Sequence, residues 1–250
     1  MPDALAAALA LPGLGWLLTI GFLAGLVRGF SGFGTALIFM PVAAQVLPPL
    51  WAIITLVLMD ICGPVPNIPA ALRQTDRGDL ARLLAGTLIM LPAGFWVLEH
   101  MAPDLFRTGV SLMALAVLVC LAAGLRYRGR LGPGLVFGTG GIAGFLGGVA
   151  GLPGPPVILL YMASPNPVTV VRASIMTYLF CNDFLMLAVL GAKSALAATP
   201  VLLGLLLAVP NIAGNVIGAR LFRPSLERFY RGGAYAIIAA SALSGLPVWG

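Results

Sequence analysis

Two stretches of this chain set glycine beside charged, hydroxyl or proline residues in otherwise apolar surroundings. They are Gly25-Leu-Val-Arg28-Gly29-Phe-Ser31-Gly32-Phe-Gly34-Thr35 and Gly144-Phe-Leu-Gly-Gly148-Val-Ala-Gly151-Leu-Pro-Gly154. Without a Cβ, glycine lets backbone N–H groups turn inward, and a helix opening at Gly34 or Gly154 aims the positive end of its dipole at whatever lies before it. Such a cradle suits the oxygens of a small anion, with Ser31 and Thr35 adding hydroxyl donors. The alternative is that Gly21, Gly25 and Gly29, spaced by four, only pack closely against another helix. We read packing for those three and the cradle for Ser31, Gly32, Gly34 and Thr35. The candidate binding set is completed by Arg28, Gly29, Gly148, Gly151, Gly154 and Asn211. Asn211 shares a helix face with Asn215, and the pair either meets a solute or bonds to a neighbouring helix.

Among the ionisable groups close to or within apolar runs, three stand out. Arg28 ends the first run, where it either draws anions to the mouth of a pathway or snorkels to lipid headgroups. Asp60 lies about 15 Å into the third run, near a bilayer midplane, and Asp183, with Asn182, lies at a similar depth in the eighth. A carboxylate at that depth is costly unless paired, protonated or hydrated. Binding of a coupling proton or sodium ion is one use for it, and a hydrogen-bonded structural role is the other. Asp76 and Asp79 read as solvated loop residues. The segment Gly63-Pro64-Val-Pro66-Asn67-Ile-Pro69 must kink or unwind the end of the third run.

The elements that position these residues follow from composition. The chain has 250 residues, 60% hydrophobic and 9% charged, with a mean hydropathy of +1.04. Average soluble domains carry about 25% charged residues, so a compact water-soluble globule is excluded. Ten apolar runs succeed one another, from Gly13–Arg28 to Tyr230–Val248, and describe an all-α polytopic membrane protein. Met1 to Trp16 carries Asp3 and no Lys or Arg, unlike a cleaved signal peptide, and reads as part of the mature protein. Trp16, Trp51, Trp96 and Trp249 fall near run ends, as interfacial anchors do. Cys62, Cys120 and Cys181 lie in apolar surroundings without C-x-x-C spacing and read as free thiols. No metal site or cofactor is expected.

An internal repeat organises the runs. Gly21, Gly25, Gly29 and Gly32 each find a glycine 119 positions later, at Gly140, Gly144, Gly148 and Gly151. Pro92 pairs with Pro210 at an offset of 118, and Pro103-Asp-Leu-Phe-Arg107 with Pro224-Ser-Leu-Glu-Arg228 at 121. The expected organisation is a first repeat over residues 1–125, a cytoplasmic linker over 126–134 and a second repeat over 135–250.

The 14 Lys and Arg and the pI near 9.8 would suit a nucleic-acid binder. The arginines instead cluster between runs: Arg73, Arg77 and Arg82, then Arg126, Arg128 and Arg130, then Arg220, Arg223, Arg228 and Arg231. If every run crosses, all three clusters fall on one side, as the positive-inside rule requires. Five crossings per half then place the second half upside down relative to the first, an inverted-topology repeat with both termini outside.

The first glycine stretch, running on into Met40-Pro41, resembles the G-x-x-S-G-x-x-G-x-G motif and following proline of the TauE/SafE family of sulfite and organosulfonate exporters. Gly144–Tyr161 resembles that family's second copy, and Gly78-Asp-Leu its short polar G-x-x-D segment. The resemblance covers nearly the whole chain. The second copy departs in reading Gly151-Leu-Pro153-Gly154-Pro155-Pro156 where the family has glycines, and in placing Ala150 where the first has Ser31. What the resemblance implies is a plasma-membrane transporter of a small sulfur-containing or carboxylate anion. With no G-x-x-x-x-G-K loop to supply ATP energy, it would be a secondary transporter. Its expected partners are that anion and membrane lipids, without nucleic acid, and a homodimer is left open. One enzymatic reading stays beside this: Gly29-Phe-Ser31-Gly32 matches the G-x-S-G nucleophile motif of rhomboid-type intramembrane proteases. Its base would have to be the single histidine, His100, which the topology places on the opposite side of the membrane. A third reading, a scaffold without transport, leaves the intramembrane aspartates unexplained.

Overall fold

The computed structural model describes residues 2–65, 68–124, 131–162, 166–221 and 227–246. Among them the chain is all helical. The elements are α1 (Pro2–Leu9), α2 (Leu14–Ser31), α3 (Thr35–Val46), α4 (Pro49–Ile61), α5 (Ile68–Gln74) and α6 (Arg77–Glu99), then α7 (Pro103–Ala122), α8 (Pro133–Ala150), α9 (Gly154–Met162), α10 (Val168–Ala192), α11 (Ala198–Leu221) and α12 (Glu227–Gly245). Six of these are long and apolar enough to cross a membrane: α2, α6, α7, α8, α10 and α11. The chain is a multi-pass membrane protein. The linker arginines Arg126, Arg128 and Arg130, together with Pro66, Asn67, Arg223 and Trp249, lie outside the described residues, as does the side chain of Arg228.

Local sequence sets the helix ends. Proline opens α4, α7 and α8, where its missing N–H has no intrahelical partner to lose. The third run divides as expected: α4 stops at Ile61 and α5 begins at Ile68, with Gly63 and Pro64 in the break. Asp76 and Asp79 are not free loop residues. Asp76 caps α6 by accepting the Asp79 N–H at 2.8 Å, and Asp79, in the first turn, pairs with Arg82 at 2.8 Å. The two glycine stretches end their helices alike. Gly32, at φ +82°, terminates α2, and Gly151, at φ +67°, terminates α8; this left-handed backbone favours glycine in both copies.

Glycines also decide how helices cross. Gly25 faces the backbone of Asn211, Gly29 that of Asn215, and from the other side Gly214 and Gly218 face Phe22 and Leu26. Residue numbers rise together, so α2 and α11 run parallel with their backbones in contact. The same arrangement joins α8 to α6, where Gly140, Gly144 and Gly148 meet Leu83, Thr87 and Leu91. Each interface therefore joins helices far apart in the sequence. Other contacts extend the two parallel sets. Thr55 of α4 bonds to Pro200 O of α11 at 3.4 Å, and Leu58 faces Gly204. Thr87 and Glu99 of α6 reach Tyr178 and Lys193 on or just past α10, at 2.9 and 2.6 Å. Outward faces are apolar, with Trp16 and Trp96 exposed, whereas Trp51 is half-buried against the core.

A methyl group on Gly144 would stand 2.5 Å from Thr87 O, and backbone cannot yield cheaply. Gly144→Ala is expected to destabilise the purified protein by about 1–3 kcal/mol. Gly138→Ala, where an added methyl meets nothing within 4 Å, is expected to stay within about 0.5 kcal/mol of the parent. Thermal denaturation in detergent measures both, and equal melting temperatures would contradict the backbone-contact assignment.

Candidate functional site

The breaks between α2 and α3 and between α8 and α9 both border one cavity of about 40 Å³. Phe33 to Leu37 line it from the first break, and Gly151, Pro153, Gly154 and Pro155 from the second. Two helices complete the wall: α4 through Leu56, Val57 and Asp60, and α10 through Leu179, Asp183 and Met186. The volume has room for roughly three waters.

Charge in this apolar setting comes from three side chains. Arg28, only 4% exposed, reaches from α2 and forms an ion pair with Asp60 through Nη1. The same nitrogen donates to Thr35 Oγ1 at 3.4 Å, which links α2, α3 and α4 around one guanidinium. Arg28 Nη2 is buried with no hydrogen-bond partner among the described residues, and so is Asp183 Oδ2 on the same cavity. An unused guanidinium N–H pair in a water-poor site is a strong directional donor for an oxyanion.

The structure thus brings Arg28, Gly34, Thr35, Gly151, Gly154, Asp60 and Asp183 to one place. Of the alternatives for Arg28, snorkelling is ruled out, because its charge is committed to a buried carboxylate. The other candidates lie elsewhere. Gly29 and Gly148 are in the helix contacts described above. Ser31 closes its own turn, its hydroxyl within 2.7 Å of Val27 O and 2.6 Å of Phe33 O, and Gly32 lies against the side chain of Arg172. Asn211 donates to Gly21 O at 3.1 Å across the α2–α11 contact, and Gly63 lies beside its Oδ1 and the Asn215 amide. Sequence reading missed the apolar lining, among it Phe33, Ile158 and Met186, because nothing in type or spacing separates such residues from lipid-facing ones. Leu179, the repeat counterpart of Asp60, lines the cavity too, one turn before Asp183.

Ser31 and His100 do not form a nucleophile and base. Gly32 neighbours Arg172 near the start of α10, while Glu99, next to His100, pairs with Lys193 just beyond its end. About 30 Å of helix separates those levels. His100 Nδ1 instead lies 2.7 Å from Trp96 O.

Sequence comparison agrees with this geometry. The family described as sulfite exporter TauE/SafE matches residues 17–245, which include both glycine breaks, both aspartates and Arg28. The chain belongs to the TauE/SafE family. A Cupriavidus necator protein named "Probable sulfite/organosulfonate exporter TauE" is 29% identical over 156 residues, 59% of this chain and 60% of that protein. The chain therefore matches less than two thirds of that curated relative's length. No solved structure matches significantly.

In this TauE/SafE protein the Arg28–Asp60 pair is a buried ion pair bordering the cavity. Removing one partner strands a buried charge at a cost of about 3–5 kcal/mol, whereas removing both does not. Arg28→Met should therefore melt well below the parent, and Arg28→Met with Asp60→Asn should melt above Arg28→Met alone. A double-mutant cycle by thermal denaturation checks the coupling, and strictly additive effects would exclude the pair.

Proposed function

We propose that this protein is a secondary transporter of the plasma membrane that carries a small sulfur-containing anion, sulfite or an organosulfonate, or a related carboxylate. The carrying observation is the buried, unpartnered Nη2 of Arg28 on a cavity bounded by two helix breaks. Transporters place solutes where helices are discontinuous near the membrane centre, because freed backbone groups are tolerated only around a cavity. Ahead of the first intrahelical bond of α3, from Ile38 N–H to Gly34 O at 3.1 Å, the leading N–H groups add donors on the Arg28 side. Family membership and the printed name of the Cupriavidus necator protein support the substrate class. Coupling is to a proton, a sodium ion or the membrane potential, and Asp60 and Asp183 are the candidate coupling carboxylates.

The proposed architecture is an inverted repeat of two five-segment halves. Its support is the membership of the two parallel sets. α2, α4 and α11 form one and α6, α8 and α10 the other, so the counterparts α2 and α8, α4 and α10, and α6 and α11 each fall in opposite sets. Lipids surround the apolar outer faces, and the cytoplasmic arginine clusters meet their headgroups.

Sulfite, small alkanesulfonates and small carboxylates are each expected to raise the melting temperature of the purified protein, and a proteoliposome assay is expected to show uptake of at least one. Arg28→Gln should lower affinity by one to two orders of magnitude, the worth of about 1.5–3 kcal/mol for a charged hydrogen bond. Stabilisation only by cations or neutral solutes would remove the anion reading. For topology, a single cysteine at Gly78 should label from the cytoplasm and both termini from outside. Termini on opposite sides would eliminate the inverted arrangement.

A further inference from the structure

We infer that Asp60 is a tethered competitor for the transported anion: the anion takes Asp60's place on Arg28, and the released carboxylate takes up one proton. This rests on the anion-carrier reading above and adds how binding is coupled. Arginine holds an oxyanion best through two parallel N–H···O bonds. One guanidinium nitrogen of Arg28 is free, but its neighbour Nη1 is held by Asp60. An anion on the Nη1–Nη2 edge cannot complete its fork while that carboxylate stays, and the two negative groups repel at contact distance in a site with little water.

Charge balance decides the fate of the displaced carboxylate. Among the described cavity-lining residues the charged side chains are Arg28 from α2, Asp60 from α4 and Asp183 from α10. Thr35 is what α3 contributes in polar groups, while α6, α7, α8, α9 and α11 bring no ionisable side chain to the lining. Among the described residues lining the cavity there is no second cation to receive Asp60. A carboxylate leaving its only cation in such surroundings takes a proton from the aqueous phase and becomes a neutral acid. One anion enters and one proton enters, so the net charge of the site is the same before and after. Asp183, already without a partner on Oδ2, changes no ion pair in this exchange.

The test uses methanesulfonate, whose charge is fixed across the working range, and the full-length protein in detergent. Binding measured calorimetrically between pH 5.5 and 7.5 should tighten about tenfold for each unit the pH falls, the linkage slope of one proton. A weakly buffered solution with a pH indicator should register about one proton taken up per anion bound. Asp60→Asn should bind at least as tightly as the parent at its best pH and lose the slope. A pH-independent dissociation constant or no proton uptake in the parent would overturn the exchange while leaving anion binding intact. So would an Asp60→Asn variant that keeps the slope. Absence of anion binding at every pH would instead strike the carrier reading itself. The proton-uptake measurement needs no variant, and absence of uptake overturns the exchange even if Asp60→Asn does not fold.

Discussion

A guanidinium removed from water must find a counter-charge, and in this protein that demand falls on Arg28. Its position is set by α2, whose backbone lies against α11 through Gly25 and Gly29, so the arginine cannot swing outward without parting two helices. Its partner, Asp60, is carried by α4, which stops one residue later. Thr35 enters from the far side of the Gly32–Gly34 turn. Three successive elements are thus fixed relative to one charge, and the cavity is the space they leave in front of it. A buried pair is weak evidence for stability, since apolar residues of similar volume often do as well. Retaining it in a membrane interior points to use.

The glycine contacts explain how a chain with short helices holds such a pair. In lipid there is no hydrophobic gain from bringing apolar helices together, so close packing must supply the association. The α2–α11 and α8–α6 contacts bring backbones together over several turns. Each joins a helix of the N-terminal part of the chain to one of the C-terminal part. Shorter helices, α3 and α9, begin at the breaks and line the cavity, so the irregular backbone lies inside the framework made by the long ones.

How much of this was legible in the sequence depends on how local each signal is. Gly32 and Gly151 were readable because a helix ending in a left-handed turn selects glycine within a few residues, and the 119-residue repeat showed both at once. The break after α4 was readable because proline cannot continue a helix. The partnership of Arg28 and Asp60 was not, since the residues are 32 positions apart and a pairing across elements leaves no periodic trace. Ser31 misled for a related reason: a hydroxyl beside a glycine turn suits an anion cradle and equally suits the local bonds to Val27 O and Phe33 O that it makes. Asp60 and Asp183 were each suspected from depth alone. That they share one cavity depends on the packing of α4 near α10.

The two glycine breaks are alike in their helix ends and unlike in their chemistry. Counterpart positions place Gly147 where the first half has Arg28, Leu179 where it has Asp60, and Pro155 and Pro156 where it has Ala36 and Leu37. Proline has no N–H, so the leading turn of α9 loses donors that the leading turn of α3 keeps. Hydrogen-bonding capacity and positive charge are therefore concentrated at the α3 side of the cavity, while Pro153, Pro155 and Ile158 make the α9 side apolar. A site of this kind distinguishes the two ends of its occupant. On the proposed reading, an oxyanion head would lie toward Arg28 and any carbon-bearing tail toward α9. Asp183, on α10, stands as the second carboxylate bordering the same space. Two helix breaks make the cavity, and the few side chains that differ between them make it polar at one end.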